Sequence, residues 1–230
     1  MNYTLIILGI LLLVIIYILI QVLSERGKSV ANKVDLSATN GSVSYKALKN
    51  PKASRFSLSL WVYLENLKST GNTDIIYIKK NDGSDFLKLS VTDTTILKYN
   101  MALQNGEVVT NEIMGNFPLQ KWVYVIISVD NKIIDLYVDG KLVRSQQLDS
   151  PPVSTDSDFN ISYGSCNGGN KCKGHVAKFE RIPQPMDPST AWTKYMQGNG
   201  GSYFSKMLSS YGATVTLTKD DLDLRQFTLF

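Results

Sequence analysis

Histidine and cysteine are scarce in this chain, which has one histidine and two cysteines among 230 residues. A serine nucleophile needs a base beside it, and the only histidine, His175, follows Gly174 in an apolar stretch next to Val176. Cys166, Cys172 and His175 form the spacing C-x5-C-x2-H, but a structural zinc site needs a fourth ligand. The sequence therefore gives no support for serine-dependent hydrolysis and ranks a zinc site below a disulfide.

The two cysteines enclose a short loop, Cys166-Asn-Gly-Gly-Asn-Lys-Cys172. Its two glycines permit a sharp reversal, which can bring the cysteine Cα atoms to the roughly 4.4 to 6.8 Å that a disulfide requires. A disulfide between Cys166 and Cys172 is the favoured prediction, and free thiols are the alternative. A disulfide would require maturation in an oxidising place or a thiol-oxidation system belonging to a particle.

Runs of basic residues are also lacking. The 24 lysines and arginines are scattered among 20 acidic residues, for a net charge of +4, so no nucleic-acid footprint stands out. The apolar content of 43% over 230 residues is enough for a real core. We expect a folded domain that does not bind nucleic acid.

One long apolar run is present, at the start of the chain. The 21 residues from Tyr3 to Leu23 carry no charge, and about 20 helical residues span the roughly 30 Å of a bilayer core. A cleaved secretory signal would need a basic leading segment and a small-x-small cleavage site, which are missing here. We therefore predict a retained, single-pass transmembrane helix over residues 1–23, whose anchor residues include Tyr3, Leu5, Leu12, Ile16, Ile20 and Leu23.

Residues 24–41 are polar without a sustained apolar period and are predicted to be a stalk. The nearest basic residues, Arg26, Lys28 and Lys33, follow the apolar run, so the positive-inside rule places the C-terminal domain on the cytoplasmic side of a membrane. In the opposite orientation the sequons at Asn40 and Asn160 become available for glycosylation.

From residue 42 onward, the pattern predicts β-strands. In the stretch from Phe56 to Leu64, apolar residues alternate with Ser57, Ser59, Trp61 and Tyr63, which is typical of a half-buried strand. Further strands are predicted at 73–80, 85–91, 94–103, 122–130, 132–139, 141–148, 159–164 and 175–182. Asn-Gly, Asp-Gly and Asp-Asn pairs between them favour tight turns, so the pattern indicates an all-β, two-sheet antiparallel sandwich of the jelly-roll type.

One short helix is predicted near the C-terminus. Asp187 suits its N-cap, Pro188 suits its first turn, and the glycines from Gly198 onward end it. Extra strands are predicted at 213–218 and 222–230, within a segment 203–230 that follows the helix.

A strand that begins at Trp122, followed by Leu136-Tyr137-Val138-Asp139-Gly140-Lys141, resembles the central meander of the laminin-G-like, concanavalin A-like lectin/glucanase domains. The early strand with Trp61, the strand from Gly174 to Phe179, and the closing pattern from Pro188 to Gly198 agree with this resemblance. It covers residues 42–200 and implies a concanavalin A-like jelly roll in a domain spanning 42–230. Asp139-Gly140 is the turn that marks the fold.

Glucanases of this fold place two carboxylates on one strand in the pattern Glu-x-Asp-x-x-Glu, as retaining hydrolysis requires. No such pattern occurs here, since the glutamates at 65, 107, 112 and 180 are isolated. We therefore predict that the protein is not an enzyme.

Laminin-G-like domains often hold Ca²⁺ on a rim of loops. Asp82, Asp85 and Asp93 lie in loop-rich sequence and are the weak candidates for such a site, although a turn-forming role is favoured for them. No other cofactor is predicted.

The arrangement of anchor, stalk and sandwich predicts a structural protein that holds a binding surface near a bilayer. It is similar to membrane-associated minor capsid proteins of large eukaryotic DNA viruses, which implies capsid or other structural proteins as partners. A membrane-tethered lectin is the alternative, with glycans stacked on Trp61, Tyr63, Trp122 and Tyr124. For these four aromatics, packing or protein contact is favoured over sugar binding.

Overall fold

A computed structural model describes residues 9–17, 31–38, 42–48, 50–80, 82–153, 159–163, 172–199, 214–219 and 222–228. Residues 9–17 are helical (α1) and include the exposed anchor candidates Leu12 and Ile16. Tyr3, Leu5, Ile20 and Leu23 lie outside the described residues. Within the described ranges, no helix has the length and apolar character needed to cross a membrane.

Two six-stranded antiparallel sheets form the body of the molecule. The strands are β1 (Ala31–Asp35), β2 (Val43–Ser44), β3 (Phe56–Asn66), β4 (Thr73–Lys79), β5 (Asp85–Val91), β6 (Leu97–Ala102), β7 (Val108–Met114), β8 (Trp122–Asp130), β9 (Ile133–Val138), β10 (Lys141–Gln147), β11 (Asn160–Tyr163) and β12 (Lys173–Ile182). The first sheet has the order β1-β12-β3-β8-β9-β10, and the second has the order β2-β11-β4-β5-β6-β7. The predicted two-sheet antiparallel sandwich is confirmed.

The main core lies between the two sheets and follows from the alternation in β3 and β8. Phe56, Leu58, Leu60, Val62 and Leu64 of β3 all enter it. Their partners across the ladder are the inward-facing valines and isoleucine of β8, with Leu60 opposite Val125 and Leu58 opposite Ile127. A slip of one residue would turn this whole set away from the core, so the burial fixes the register.

A helix, α2 (Pro188–Met196), forms a third layer on the outer face of the first sheet. The side chain of Asp187 caps it, because its Oδ1 accepts a hydrogen bond of 2.9 Å from the amide of Thr190, and Pro188 occupies its first turn. Ala191 is fully buried against the sheet. The predicted helix is therefore present at the predicted position.

Arg181 of β12 ties the loop before β3 to the sandwich. Its buried guanidinium donates to the hydroxyl of Tyr45 at 2.7 Å and to the carbonyls of Asn50, Pro51 and Ala53 at 2.9 to 3.1 Å. It also lies over the rings of Tyr45 and Phe56, 5.3 and 4.9 Å from their centroids. A charged side chain is thus accommodated in the interior by carbonyl and aromatic partners.

The sequence prediction missed three strands, β1, β2 and β7. Residues 31–35 were assigned to the stalk but form β1, which pairs in antiparallel fashion with β12, with Lys33 opposite Ala177 and Asp35 opposite His175. Residues 108–114 were not predicted as a strand but form β7 at the edge of the second sheet. All three are edge strands. β2 has only two residues, and β1 and β7 are rich in polar residues, so the apolar signal that reveals a central strand is weak in them.

The segment after α2 contains a β-hairpin, β13 (Thr214–Lys219) and β14 (Leu222–Thr228), close to the predicted 213–218 and 222–230. The sequon residue Asn160 begins β11, where it is half-buried between Ser44 and Lys79. Asn40 lies outside the described residues.

Candidate binding surface on the outer face of the first sheet

The four aromatic residues singled out from the sequence lie together on β3 and β8. Trp61 is the cross-strand partner of Tyr124, and Tyr63 is the partner of Trp122. All four are on the face of the first sheet that points away from the core, as the alternation predicts. The position of α2 on this face divides them into two pairs.

Trp61 and Tyr124 are buried beneath α2, with 6% and 4% of their surfaces exposed. The Trp61 ring is stacked on Tyr124 at 5.0 Å and on Tyr195 of the helix at 5.7 Å, and burial raises the pKa of the Tyr124 hydroxyl. These two residues belong to a second hydrophobic cluster with Tyr137, Met186 and Ala191. They pack the helix onto the sheet and are not an open binding face.

A cavity of about 20 Å³ remains beside this cluster, bounded by Trp61, Tyr124, Lys178, Glu180, Lys194 and Gln197. One water molecule fills a space of that size. Lys194 of α2 bonds to Glu180 of β12 at 2.8 Å across it, and Lys178 donates to the carbonyl of Gly198. The cavity is therefore a feature of helix attachment and is too small for an organic ligand.

Tyr63 and Trp122 lie beyond the helix and are only half-buried. Their ring centroids are 5.4 Å apart with an angle of 44° between the planes, and His175 of β12 is stacked on the other side of Tyr63 at 6.2 Å. We call Tyr63, Trp122 and His175 the aromatic platform. Together with Asp35 of β1 they form one cross-strand row over four neighbouring strands.

Charged groups surround the aromatic platform. Asp35 is exposed at its edge, where hydrogen bonds from the hydroxyl and amide of Ser37 hold the pKa of its carboxyl below the usual value. Lys173 lies 3.8 Å from Glu65, and Lys121 lies 3.8 Å from Asp139. The surface thus has a centre formed by aromatic rings and a rim of polar groups, a composition that can orient a bound molecule.

His175 and Asp35 were not predicted as members of this surface. His175 was considered only as a metal ligand or base, and Asp35 was placed in the stalk. The sequence signal that could have found β1 is the alternation around Val34 and Leu36, since Leu36 is fully buried. His175 could have been placed only from the register between β12 and β3.

The outer face of the second sheet carries a different row, formed by Ser162, Tyr77, Lys88, Asn100 and Thr110 across five strands. Three of its polar side chains are paired: Lys88 with Asp74 at 3.1 Å, and Asn100 with Thr110 at 2.6 Å. The row contains one aromatic ring, Tyr77, with Lys79 5.2 Å above it. It therefore lacks the paired rings of the aromatic platform.

The Asp139-Gly140 turn is structural. Both residues have positive φ, +49° and +76°, as a two-residue turn between β9 and β10 requires. The Asp139 carboxylate accepts a bond of 2.9 Å from the amide of Tyr124. A Cβ added to Gly140 would lie 3.0 Å from Tyr195 and 3.1 Å from the Trp192 backbone, so the glycine also makes room for α2.

The calcium candidates are separate from one another. Asp82 uses its carboxylate to accept bonds from the amide and hydroxyl of Ser84, which lowers its pKa, and Asp85 begins β5 opposite Lys79. Asp93 is exposed in the turn between β5 and β6. Among the residues the structure describes, no three His, Cys, Asp or Glu side chains are grouped as a metal site would need.

Cys172 is buried and disulfide-bonded. Cys166, the other cysteine of the predicted staple, lies outside the described residues. Four of the five glutamates lie among the described residues and are dispersed: Glu65 is on β3, Glu107 accepts from Asn105 in a turn, Glu112 is on β7 and Glu180 bonds to α2. This arrangement offers no carboxylate pair among them for glycoside hydrolysis.

Comparison with known proteins agrees with the geometry. A family model described as Concanavalin A-like lectin/glucanases superfamily (Laminin_G_3) matches residues 37–188, about two thirds of the chain. The chain is 29% identical over 164 residues to SH2 domain-containing protein A of Arabidopsis thaliana, and this match covers 64% of the chain. The chain spans only 26% of that relative's length.

Solved structures of toxin binding domains share the fold. The binding domain of botulinum neurotoxin serotype G has a TM-score of 0.55 at 14% identity, and that of Paraclostridial Mosquitocidal Protein 1 has 0.55 at 17%. The serotype D ligand binding domain, solved in complex with N-acetylneuraminic acid, has a TM-score of 0.56 at 17% identity. Each match covers 71% of this chain and 42% of the other. The match over two thirds of its length shows that this chain, whose lectin-like β-sandwich carries the short helix α2, belongs to the Concanavalin A-like lectin/glucanases superfamily.

Proposed function

We propose that this protein is a membrane-tethered, non-catalytic binding protein whose sandwich holds a partner close to a bilayer. The observation that carries the proposal is the short distance in sequence between two features. The uncharged run from Tyr3 to Leu23 is long enough for a bilayer, and the first strand of the sandwich begins at Ala31. Only seven residues, 24–30, separate them.

The arrangement of the candidate side chains supports the proposal that the protein is not a catalyst. The four glutamates in the described residues are dispersed, and the cavity under α2 has room for one water molecule. His175 stacks on Tyr63 and is the only histidine in the chain. A fold hosts chemistry only through a site, and these groups do not form one.

A narrower form of the proposal is a minor capsid or virion protein that links an internal membrane to a capsid. Its partners are then structural proteins, and the sandwich faces the cytoplasm, as Arg26, Lys28 and Lys33 favour. The support is the arrangement of an anchor before a lectin-like sandwich. Cross-linking of the full chain in its native membrane or particle, followed by identification of the attached proteins, tests this form.

Alkaline carbonate extraction tests the anchor itself. We expect the full chain to stay with the membrane pellet, and release into the supernatant would refute the tether. Cross-links from the sandwich to capsid components would support the virion role, whereas cross-links confined to lipids and membrane glycoproteins would refute it.

Glycan binding is the second candidate, and the aromatic platform favours it. Two half-exposed rings 5.4 Å apart offer faces to the apolar side of a sugar, and Asp35 at the edge can accept hydrogen bonds from hydroxyl groups. The structure solved with N-acetylneuraminic acid shares only the fold at 17% identity. It is nevertheless a reason to include sialylated sugars among those tested.

A glycan array probed with the full chain in nanodiscs tests this candidate. We expect Trp122→Ala and Tyr63→Ala to lose at least about tenfold in affinity, since stacked rings dominate such contacts. Tyr77→Ala, which removes a half-buried ring from the other sheet, is the matched control and should bind as the wild type does. Equal losses in all three variants, or no binding by the wild type, would reject the lectin function.

A further inference from the structure

The two ends of the first sheet lie at different distances from the point where the chain enters the sandwich from the proposed anchor. We call the near end the one where β3 begins at Phe56, β8 ends at Asp130 and β9 begins at Ile133. The far end is the one where β3 ends at Asn66 and β8 begins at Trp122. We infer that the sandwich stands with its near end toward the bilayer and presents the aromatic platform at the far end, away from the lipid. This inference rests on the proposed membrane anchor.

The direction of β1 carries the inference. Its first residue, Ala31, is opposite Phe179 of β12, and its last, Asp35, is opposite His175. Since His175 is opposite Tyr63 and Ile182 is opposite Ser57, β1 runs from the middle of the sheet toward the far end. The chain therefore enters β1 from the near side.

The length of the connection limits how far the near end can lie from the bilayer. Seven residues, 24–30, join Leu23 to Ala31, and a fully extended chain of that length spans at most about 24 Å. From the level of Ala31 to the near end the sheet extends by about four residues, or about 13 Å. Of the roughly 24 Å that the connection can span, about 10 Å is left beyond the near end. The near end therefore lies at most about 10 Å from the bilayer surface.

The near end carries groups suited to a headgroup region. Lys52 and Lys132 are exposed there, and Ile133 is 48% exposed. Arg55 neutralises Asp130 through a contact of 2.6 Å. Lysine side chains with apolar neighbours are compatible with an interface between lipid and water.

The aromatic platform occupies the opposite position. Its row from Asp35 through His175 and Tyr63 to Trp122 lies at the level where β1 ends. Helix α2 covers the part of the face nearer the bilayer, around Trp61 and Tyr124. Tyr63 and Trp122, the paired rings of the sheet that α2 leaves half-exposed, thus lie at the end from which a partner on the side opposite the membrane would approach.

Energy transfer to a lipid-borne acceptor tests the orientation in the full chain. Lys121 and Lys132 flank β8, which separates them by about 26 Å of strand, and both are exposed. Each is replaced singly by cysteine, labelled with a donor dye and reconstituted in nanodiscs with acceptor lipid. Wild-type chain treated in the same way gives the background from the native cysteines.

We expect transfer from the Lys132→Cys site to be about twofold more efficient than from the Lys121→Cys site, because about 26 Å of strand separates the two positions. Equal transfer, or stronger transfer from Lys121→Cys, would overturn the orientation. Alkaline carbonate treatment distinguishes the two ways in which the inference can fail. Loss of the chain from the nanodisc would show that the proposed anchor is wrong, whereas a chain that stays but gives equal or reversed transfer would show that the orientation is wrong.

Discussion

Arg181 illustrates how one side chain can fix a loop. Its guanidinium satisfies three carbonyls and the Tyr45 hydroxyl and is only 6% exposed. Lysine cannot reproduce this planar set of donors. We expect Arg181→Lys to lower the free energy of unfolding by about 2 to 4 kcal/mol, measured by denaturant titration.

The matched control for this change is Arg55→Lys. Arg55 is exposed and pairs with Asp130 on the surface, where such a pair contributes less than about 1 kcal/mol. A loss at Arg181 no larger than that at Arg55 would contradict the proposed role of the guanidinium.

Tyr163 is a buried residue whose hydroxyl has no hydrogen-bond partner among the described residues. Burial raises its pKa to about 12. Because the folded pKa lies above the unfolded value of about 10, the stability that this group contributes is complete below about pH 10 and is lost as the pH rises toward 12. We expect Tyr163→Phe to be neutral or stabilising by up to about 1 kcal/mol at neutral pH.

Alkaline titration of tyrosinate absorbance checks this assignment. The variant should lack one of the late-titrating tyrosines and should lose less stability between pH 10 and 12 than the wild type does. An unchanged alkaline profile would show that Tyr163 is not the group concerned.

At the scale of the strand, Gly174 permits close contact between β12 and β3. A Cβ at this position would lie 2.6 Å from the carbonyl oxygen of Tyr63 and 2.7 Å from Leu64, which is closer than such atoms approach without a shift. We expect Gly174→Ala to cost about 1 to 3 kcal/mol of stability, as overpacking does, and to disturb the platform through Tyr63.

Gly115→Ala serves as its control, because an added Cβ there meets only the mobile end of Glu112, at 3.3 Å. Thermal unfolding of both variants gives the comparison. Similar melting temperatures for the two would show that β12 and β3 can separate without cost.

Central strands were predictable from sequence, whereas three of the four edge strands, β1, β2 and β7, were not; the fourth, β10, was predicted at 141–148. The period-two pattern from Phe56 to Leu64 specifies both the strand and its inward face, since its apolar residues can be buried in only one register. β1 and β7 have one neighbour each and much polar sequence. Their pairing depends on the sheet already being present, a tertiary effect that local pattern does not contain.

The candidate site was predicted in part for a related reason. Alternation placed Trp61, Tyr63, Trp122 and Tyr124 on one face but could not show which of them are buried and which are exposed. The burial of Trp61 and Tyr124 depends on where α2 lies. That position is set by Gly140 and Tyr137, which are distant from the helix in sequence, and by Met186 just before it. His175 joined the row only through the register of β12.

At the scale of the whole molecule, the family match and the folded unit have different limits. The match covers 37–188, which omits β1 and ends where α2 begins. A fragment with those limits would uncover Trp61, Tyr124 and Tyr137 and leave one edge of β12 unpaired. We expect it to aggregate and to bind a hydrophobic dye, whereas a fragment spanning 31–199 should remain monomeric in gel filtration.

The antiparallel pairing of β1 with β12 also has a mechanical consequence. If the proposed anchor and a partner at the far end pull in opposite directions, tension enters the sandwich along the axis of β1. Hydrogen bonds between antiparallel strands are perpendicular to that axis, so the load is shared by all register pairs from Ala31 to Asp35 at once. Under the proposed anchoring, the strand that leads into the domain is thus loaded in shear, the geometry in which a β-ladder resists force best.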